Sequence, residues 1–289
     1  MKATIFQIIL YCLLLSCTNI NRDNSVDKSE LTGEDYRLFQ NTPAWELAKA
    51  VQDVSEKKIM EIIDKEPKLI NYREPKFGST LLVLTIKNQQ YKSFEILLKK
   101  NADVNIHDTY EGSTALIEAC SSKYYELKFV ETLLQFGANV NDVQTDIEKQ
   151  GKTRTPLMLA SKTGKIDLVK LLVTNHADLN YQNKFNQSAL SEAVMISRYN
   201  IVLYLLEKGA DYTKPIFFLE EQNRNMYLVD VLREDFFELD TDEYRYKMQI
   251  VGFLKSKGID YKARLIPECI KQRAKEEYPN NWQEYLEKY

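Results

Sequence analysis

The chain of 289 residues is 44% hydrophobic and 28% charged, a globular composition with ample material for a core. Its formal net charge of -3 gives no basic footprint, which argues against nucleic acid as a partner and against a polybasic membrane surface. The cysteines Cys12, Cys17, Cys120 and Cys269 are scattered with no CxxC pair, so neither a disulfide framework nor a cysteine-based metal site is expected.

At the N-terminus, Met1-Lys2 carries positive charge and Ala3 to Leu15 is an apolar run broken by Gln7. The run is shorter than the about 20 residues a spanning helix needs and has the length of a secretory h-region. The sequence Leu14-Leu15-Ser16-Cys17 resembles a bacterial lipobox, with an aliphatic residue three before the cysteine, a small one just before it, and Leu15 less usual at its place. The resemblance implies a signal peptide over 1–16, cleavage before Cys17, and lipidation of Cys17. Several acyl chains would then anchor the protein to a membrane, each buried CH₂ contributing roughly 0.8 kcal/mol. That places it in a bacterial cell envelope, on the periplasmic side of the inner or outer membrane. The competing reading is an ordinary signal peptide in which Cys17 has no role. Residues 17–40 are polar (TNINRDNSVDKSELTGE from Thr18 to Glu34) and read as a flexible tether.

From Thr42 the chain turns helical. TPAWELAKAV and Glu56 to Asp64 read as a first helix pair with Trp45 in the core, followed by Pro67 and Leu69-Ile70-Asn71. Four similar segments follow, starting at Thr80 (STLLVLTIKN), Thr114 (STALIEACSS), Thr155 (TPLMLASKTG) and Ser188 (SALSEAVMIS), at intervals of 34, 41 and 33 residues by subtraction. In each, the Thr or Ser is placed to cap a short helix, and Pro156 sits where a missing N–H costs nothing. An apolar second helix comes next: Phe94 to Leu98, Leu127 to Leu134, Ile166 to Leu172, Ile201 to Leu206. Each segment closes on NADVN (101–105), GANVN (137–141), HADLN (176–180) or GADY (209–212). Pairs this short cannot bury their own faces and need neighbours of the same kind.

The pattern resembles the ankyrin-repeat family, with its TPLHxA helix, second helix, GADVN and β-hairpin finger. The resemblance implies an all-α ankyrin-repeat solenoid of about five to six repeats including degenerate caps, spanning 41–265, with 266–289 as C-terminal capping helices. Asn101, Gly137, His176, Gly209 and Gly258 share the helix-end position that wants a left-handed backbone, which makes His176 a cap and not a ligand. Val83, Ile117, Met158 and Ser191 replace the family's His, removing its hydrogen bond to the capping Thr. The finger 142–154 is long, polar and expected to be mobile, and CSSKYYEL adds two residues between helices as a small bulge.

After Asp211 the pattern loosens. Ile216 to Leu232 reads as an elongated or kinked first helix, Glu234 to Glu243 as an acidic loop, and 248–261 as the second helix of a degenerate repeat. Pro267 opens a last helical piece, in which Trp282, Tyr285 and Leu286 at helical spacing read as a cap. ELAKAV near the start and YPNNWQEYLEKY at the end resemble bacterial ankyrin lipoproteins.

No phosphate loop, G-x-S-x-G, HExxH or EF-hand motif is present, and two histidines far apart in sequence support no His-based site. No catalytic residue, metal or cofactor is therefore expected. The family resemblance implies protein binding through finger tips and the outer side of the first helices. The candidates there are the aromatics Tyr72, Phe77, Tyr110, Tyr181 and Phe185, the tip residue His107, and Glu118 and Glu192, which share a side with Leu84 and Leu159. The aromatics have two readings, as interface anchors or as finger-on-finger packing that stiffens the row. The expected partners are one protein of unknown identity and a membrane through Cys17, with no nucleic acid and a monomeric chain. Two other readings stand beside this one. One is an immunity or inhibitor protein that neutralises a toxin. The other is an enzyme with a site in 212–289, resting on Glu234, Asp235 and Glu238.

Overall fold

In a computed structural model the described residues are 22–289, apart from 122–125, 146, 148–150 and 152. The expected signal segment and Cys17 lie outside them, as do half of the CSSKYYEL bulge and part of the long finger. Among the described residues no helix is long and apolar enough to cross a membrane.

The helices come in pairs: α1 (Trp45–Gln52) with α2 (Glu56–Lys65), α3 (Leu81–Lys87) with α4 (Tyr91–Lys99), α5 (Ala115–Ser121) with α6 (Leu127–Gln135), α7 (Pro156–Thr163) with α8 (Ile166–Thr174), and α9 (Ala189–Met195) with α10 (Tyr199–Glu207). The chain forms two compact units. One runs to Ala119 and adds Phe136–Ala138; the other comprises Cys120–Gln135 and Asn139–Tyr289. In unit one α1 packs on α3 and α2 on α4; in unit two α7 packs on α9 and α8 on α10. First helices are buried nearly all round because they have neighbours on several sides: every residue from Leu81 to Ile86 is buried. Second helices bury one stripe, as Phe94, Leu97 and Leu98 do in α4 while Lys92 and Lys99 face water.

The capping residues act as the sequence suggests. Thr80 Oγ1 accepts from Val83 N at 3.5 Å and Thr155 Oγ1 from Met158 N at 3.3 Å. At Ser188 the lost histidine has a substitute, since Ser191 Oγ donates to Ser188 O and accepts from Ser188 N at 2.7 Å. Thr114 Oγ1 is buried without a hydrogen-bond partner. Second helices end in left-handed residues, Asn101 at φ 64° and His176 at φ 67° among them, so His176 is a helix terminator.

The closing tetrads tie each repeat to the next. Asn71 Oδ1 accepts from Asp103 N at 2.9 Å, and Asn105 Nδ2 donates to Gly137 O at 3.2 Å, both in unit one. In unit two Asn141 accepts from Asp178 N at 2.6 Å and donates to His176 O at 3.2 Å, and Asn180 Oδ1 accepts from Asp211 N at 2.8 Å. The Asp or Asn two residues earlier turns the chain locally: Asp103 accepts from Asn105 N, and Asp178 from Asn180 N.

Several expectations are corrected. The flexible tether of 17–40 is instead folded onto unit one from Arg22 onward. Tyr36, Leu38 and Phe39 bury themselves against α1, and Lys28 Nζ donates to Leu38 O and Gln40 O at 2.7 and 2.5 Å. A few apolar residues suffice there because the first pair has an uncovered end. Trp45 is half-buried at the surface, with Nε1 donating to Asp23 and Lys49 over its ring, since the segment 22–40 supplies the core instead. The elongated helix over 216–232 is a hairpin, β1 (Phe217–Leu219) antiparallel to β2 (Arg224–Met226), followed by α11 (Leu228–Glu234). Asn223 adopts φ 48° in the turn, which breaks any continuous helix. The last repeat's second helix, α12 (Asp242–Ser256), begins inside the expected acidic loop because Thr241 caps it.

Helices α13 (Glu268–Glu277) and α14 (Trp282–Lys288) close the chain. Tyr285 packs on both Phe236 and Tyr278, with centroids at 4.8 and 4.9 Å, while Trp282 and Leu286 pack at the margin of that cluster. Tyr289 is also buried, with its OH donating to Arg233 O and Asp235 O. Lys247, 0% exposed, donates to Asp235 O at 2.8 Å and lies 3.6 Å from the Tyr289 ring centroid. Burial pushes Lys247 down to about 7; Asp235 opposes that shift and Arg233 adds to it.

Two predictions follow from this packing. Because the unfolded chain holds the Lys247 proton more tightly, stability rises as pH increases from about 7 toward the ordinary lysine value of 10.5. Lys247→Met removes that rise in chemical denaturation between pH 6 and 10, and raises stability near neutral pH by about 1–4 kcal/mol. Val54, a β-branched residue at φ 54°, is strained; Val54→Gly raises stability by about 1 kcal/mol in the same assay.

Candidate protein-binding surface

The fingers are held by one recurring device. Glu74, buried, accepts from Lys76 N, Phe77 N and Ser79 N at 2.7, 2.8 and 3.0 Å. Asp108 accepts from the backbone N–H groups of Tyr110, Glu111, Gly112 and Ser113. Asn183 accepts from Phe185 N and Gln187 N and donates to Thr153 O. A carboxylate or amide inside the turn thus replaces the ladder a longer hairpin would have. The sequence reading missed all three residues, although the signal was present: each is an acceptor five or six positions before a capping Thr or Ser.

Neighbouring fingers touch. Thr109 N donates to Phe77 O at 2.8 Å in unit one, and Lys184 N donates to Gly151 O at 3.3 Å in unit two. Gly78, at φ 73°, has no room for a side chain, since a Cβ there would lie 2.4 Å from Thr109 Oγ1.

In unit one, Phe77 and Tyr110 meet edge to face at 5.2 Å, and Tyr110 remains 65% exposed. Phe77 is half-buried and braces it. Beside them lies a cleft of about 200 Å³ lined by Gly33, Phe77, Ser79, Lys87, Asp108, Tyr110 and Glu111. Lys87 Nζ is 3.6 Å from Glu118 Oε2. Burial raises the Glu118 carboxyl above its ordinary range, Lys87 pulls it back, and Glu111 and Asp108 add to the rise. His107 Nδ1 lies 2.7 Å from Gly112 O, inside the finger. Tyr72 packs on Phe39 at 6.3 Å, facing the segment 22–40.

In unit two, Phe185 is 50% exposed at its finger tip, and Tyr181 OH is 2.9 Å from Thr153 Oγ1. Glu192 is only 7% exposed and forms an ion pair with Arg154 Nε at 3.0 Å. The structure therefore sorts the candidates. Phe77, Tyr110, Lys87 and Glu118 come together in unit one, and Phe185 stands at a tip in unit two. Tyr72, His107, Tyr181 and Glu192 are taken up by internal contacts. Glu192 is corrected from an outward-facing partner contact to a buried anchor for Arg154; sequence spacing alone did not show that Arg154, one repeat earlier, would reach it. Of the aromatics, Phe77 packs on its neighbour finger and Tyr110 stays open to solvent.

In the region 212–289, Asp235 and Glu234 make structural contacts, while Glu238 is exposed and lines a shallow cleft with Glu243 and Arg273. Asp235 accepts from Tyr199 OH and Ser197 Oγ, and Glu234 pairs with Arg224 at 3.6 Å. Among the described residues no group of three or more His, Cys, Asp or Glu could hold a metal ion.

Two short stacks of capped helix pairs with pinned fingers define a repeat protein whose chemistry is contact, and comparison with known proteins agrees. The description Ankyrin repeats (3 copies) matches residues 47–144 and 127–216, more than half of the chain. The chain is similar to Ankyrin repeat and SAM domain-containing protein 6 of Rattus norvegicus, 48% identical over 64 residues, which are 22% of this chain and 7% of that protein. It is similar to Putative ankyrin repeat protein R664 of Acanthamoeba polyphaga mimivirus, 31% identical over 112 residues, 38% of this chain and 64% of that one. It is also similar to Ankyrin repeat and KH domain-containing protein mask of Drosophila melanogaster, 36% identical over 106 residues, 36% of this chain and 2% of that one. The match spans less than two thirds of each relative's length. The chain belongs to the ankyrin-repeat family. Proteins of this family are generally non-catalytic interaction modules, and the repeats imply a protein-binding role.

Because the folded state favours the protonated form of Glu118, its ionisation opposes folding as pH rises through the raised value. Glu118→Gln therefore melts above wild type at pH 7, and the two melting temperatures converge as pH falls below the ordinary carboxylate range. A lower melting temperature for the variant at pH 7 would show that the Lys87 pair outweighs burial.

Proposed function

We propose that the chain is a lipid-anchored, non-catalytic adaptor of a bacterial cell envelope, acting as a monomer and holding one protein partner on its finger tips and first helices. The observation that carries the binding side is Tyr110, whose ring is exposed to 65% and yet fixed in place by Phe77 and by the Asp108 turn. A rigid aromatic in this situation buries a large area on association while losing little conformational entropy. Phe185 supplies a second exposed aromatic in unit two. The anchoring side rests on Leu14-Leu15-Ser16-Cys17 alone.

The two halves are tested separately. Cys17→Ala abolishes incorporation of labelled fatty acid and releases the protein from membranes. Tyr110→Asp and Phe185→Asp weaken capture of the partner recovered from envelope fractions by about tenfold or more, with melting shifted by no more than about 0.5 kcal/mol. Melting that collapses along with capture would make the aromatics structural and remove the binding role given to them.

A further inference from the structure

Residues 28–34 lie on the same side of unit one as the cleft, and the body holds them by their main chain. Lys76 Nζ donates to Ser29 O at 2.7 Å and to Leu31 O at 2.8 Å, and Asn88 Nδ2 donates to Glu34 O at 2.8 Å. Upstream, Gln40 Nε2 does the same for Arg22 O and Asn24 O at 2.7 and 2.9 Å. Leu31 is extended, at φ -77° and ψ 138°, and its side chain is buried. Gly33 lines the cleft, and a Cβ there would lie 3.3 Å from Lys87 Nζ and 4.0 Å from Phe77. Lys76 itself sits 4.7 Å above the Phe77 ring, so the residue that receives the carbonyls is aligned by the aromatic pair.

These contacts read the carbonyls of a single 3-10 turn, Lys28–Glu30, and of Leu31, one buried apolar side chain, and a turn at the glycine two residues further on. We propose that Lys76, Phe77, Lys87, Asn88 and Tyr110 form a groove for a peptide of that pattern, and that residues 28–34 occupy it as a built-in competing ligand. The proposal rests on the protein-binding reading above and names the partner's recognised element. An incoming peptide gains what the internal segment leaves unused: the open part of the cleft, toward Asp108, Tyr110 and Glu111. The internal segment competes at the high effective concentration of a tethered ligand, so apparent affinity is reduced by the fraction of chains in which the groove is open.

The probe is a fluorescein-labelled peptide of residues 26–35, VDKSELTGED, titrated into the full chain and followed by polarisation. Leu31→Asp or Gly33→Val in the chain frees the groove and tightens peptide binding by about tenfold or more over wild type. Adding Lys76→Ala abolishes the gain, and Lys76→Arg in its place retains it. If Leu31→Asp lowers the melting transition, Gly33→Val carries the comparison. In wild type, excess unlabelled peptide accelerates amide exchange over 28–34. Equal binding by wild type and the opened variants, binding that survives Lys76→Ala, or exchange unchanged by peptide would each overturn the proposal. The assay needs no partner. Failure here with partner capture through Tyr110 intact therefore discards the internal ligand and leaves the function standing, and the reverse result discards the function and leaves the groove.

Discussion

The asparagine that closes each repeat is the link on which the rest of the structure depends. A helix pair of seven to nine residues per helix, as in α3 and α4, cannot bury its own faces. It folds only if the next pair arrives in register, and apolar side chains alone permit sliding. Asn71, Asn105, Asn141 and Asn180 remove that freedom by binding backbone groups of the following repeat. Each such bond contributes only about 1 kcal/mol, which is modest beside the buried leucines. Its value is directional, because it sets where each finger starts, and the finger start sets where Phe77, Tyr110 and Phe185 stand.

Most of the repeat architecture was legible because its signals are local. The capping residues Thr80, Thr155 and Ser188, the left-handed Asn101 and His176, and the apolar runs of the second helices each announce themselves within a few positions. Folding of residues 22–40 onto the body was not legible, since contacts that hold it lie far along the chain, 45 residues apart for Lys76 and Leu31 and 54 for Tyr36 and Gln90. The hairpin at 217–226 escaped for a different reason: three-residue strands leave no periodicity, and only the turn at Asn223 could have signalled it. Within the site, the one-per-repeat spacing of Phe77 and Tyr110 was visible, and the structure brings their rings together. Lys87 was overlooked, and Glu192 was misplaced, because ion pairs between repeats do not show in the spacing of either residue alone.

The two ends illustrate opposite solutions to the same exposure of a terminal repeat. At the start, a polar segment supplies a few buried residues, Leu31, Tyr36, Leu38 and Phe39 among them, and a set of side-chain bonds to main-chain carbonyls. At the finish, aromatic stacking around Tyr285 and Tyr289 encloses two cations, Arg233 and Lys247, against carbonyl oxygens.

The turn pinned by Asp108 separates shape from recognition within three residues. Its carboxylate bonds main-chain N–H groups, which residues of almost any type carry, so the loop keeps its course whatever side chain stands at position 110. Heritable change at that tip can accordingly alter what the protein grips while leaving the fold beneath it untouched. A lineage carrying this turn can try new tip residues one at a time, each in a molecule that is already folded.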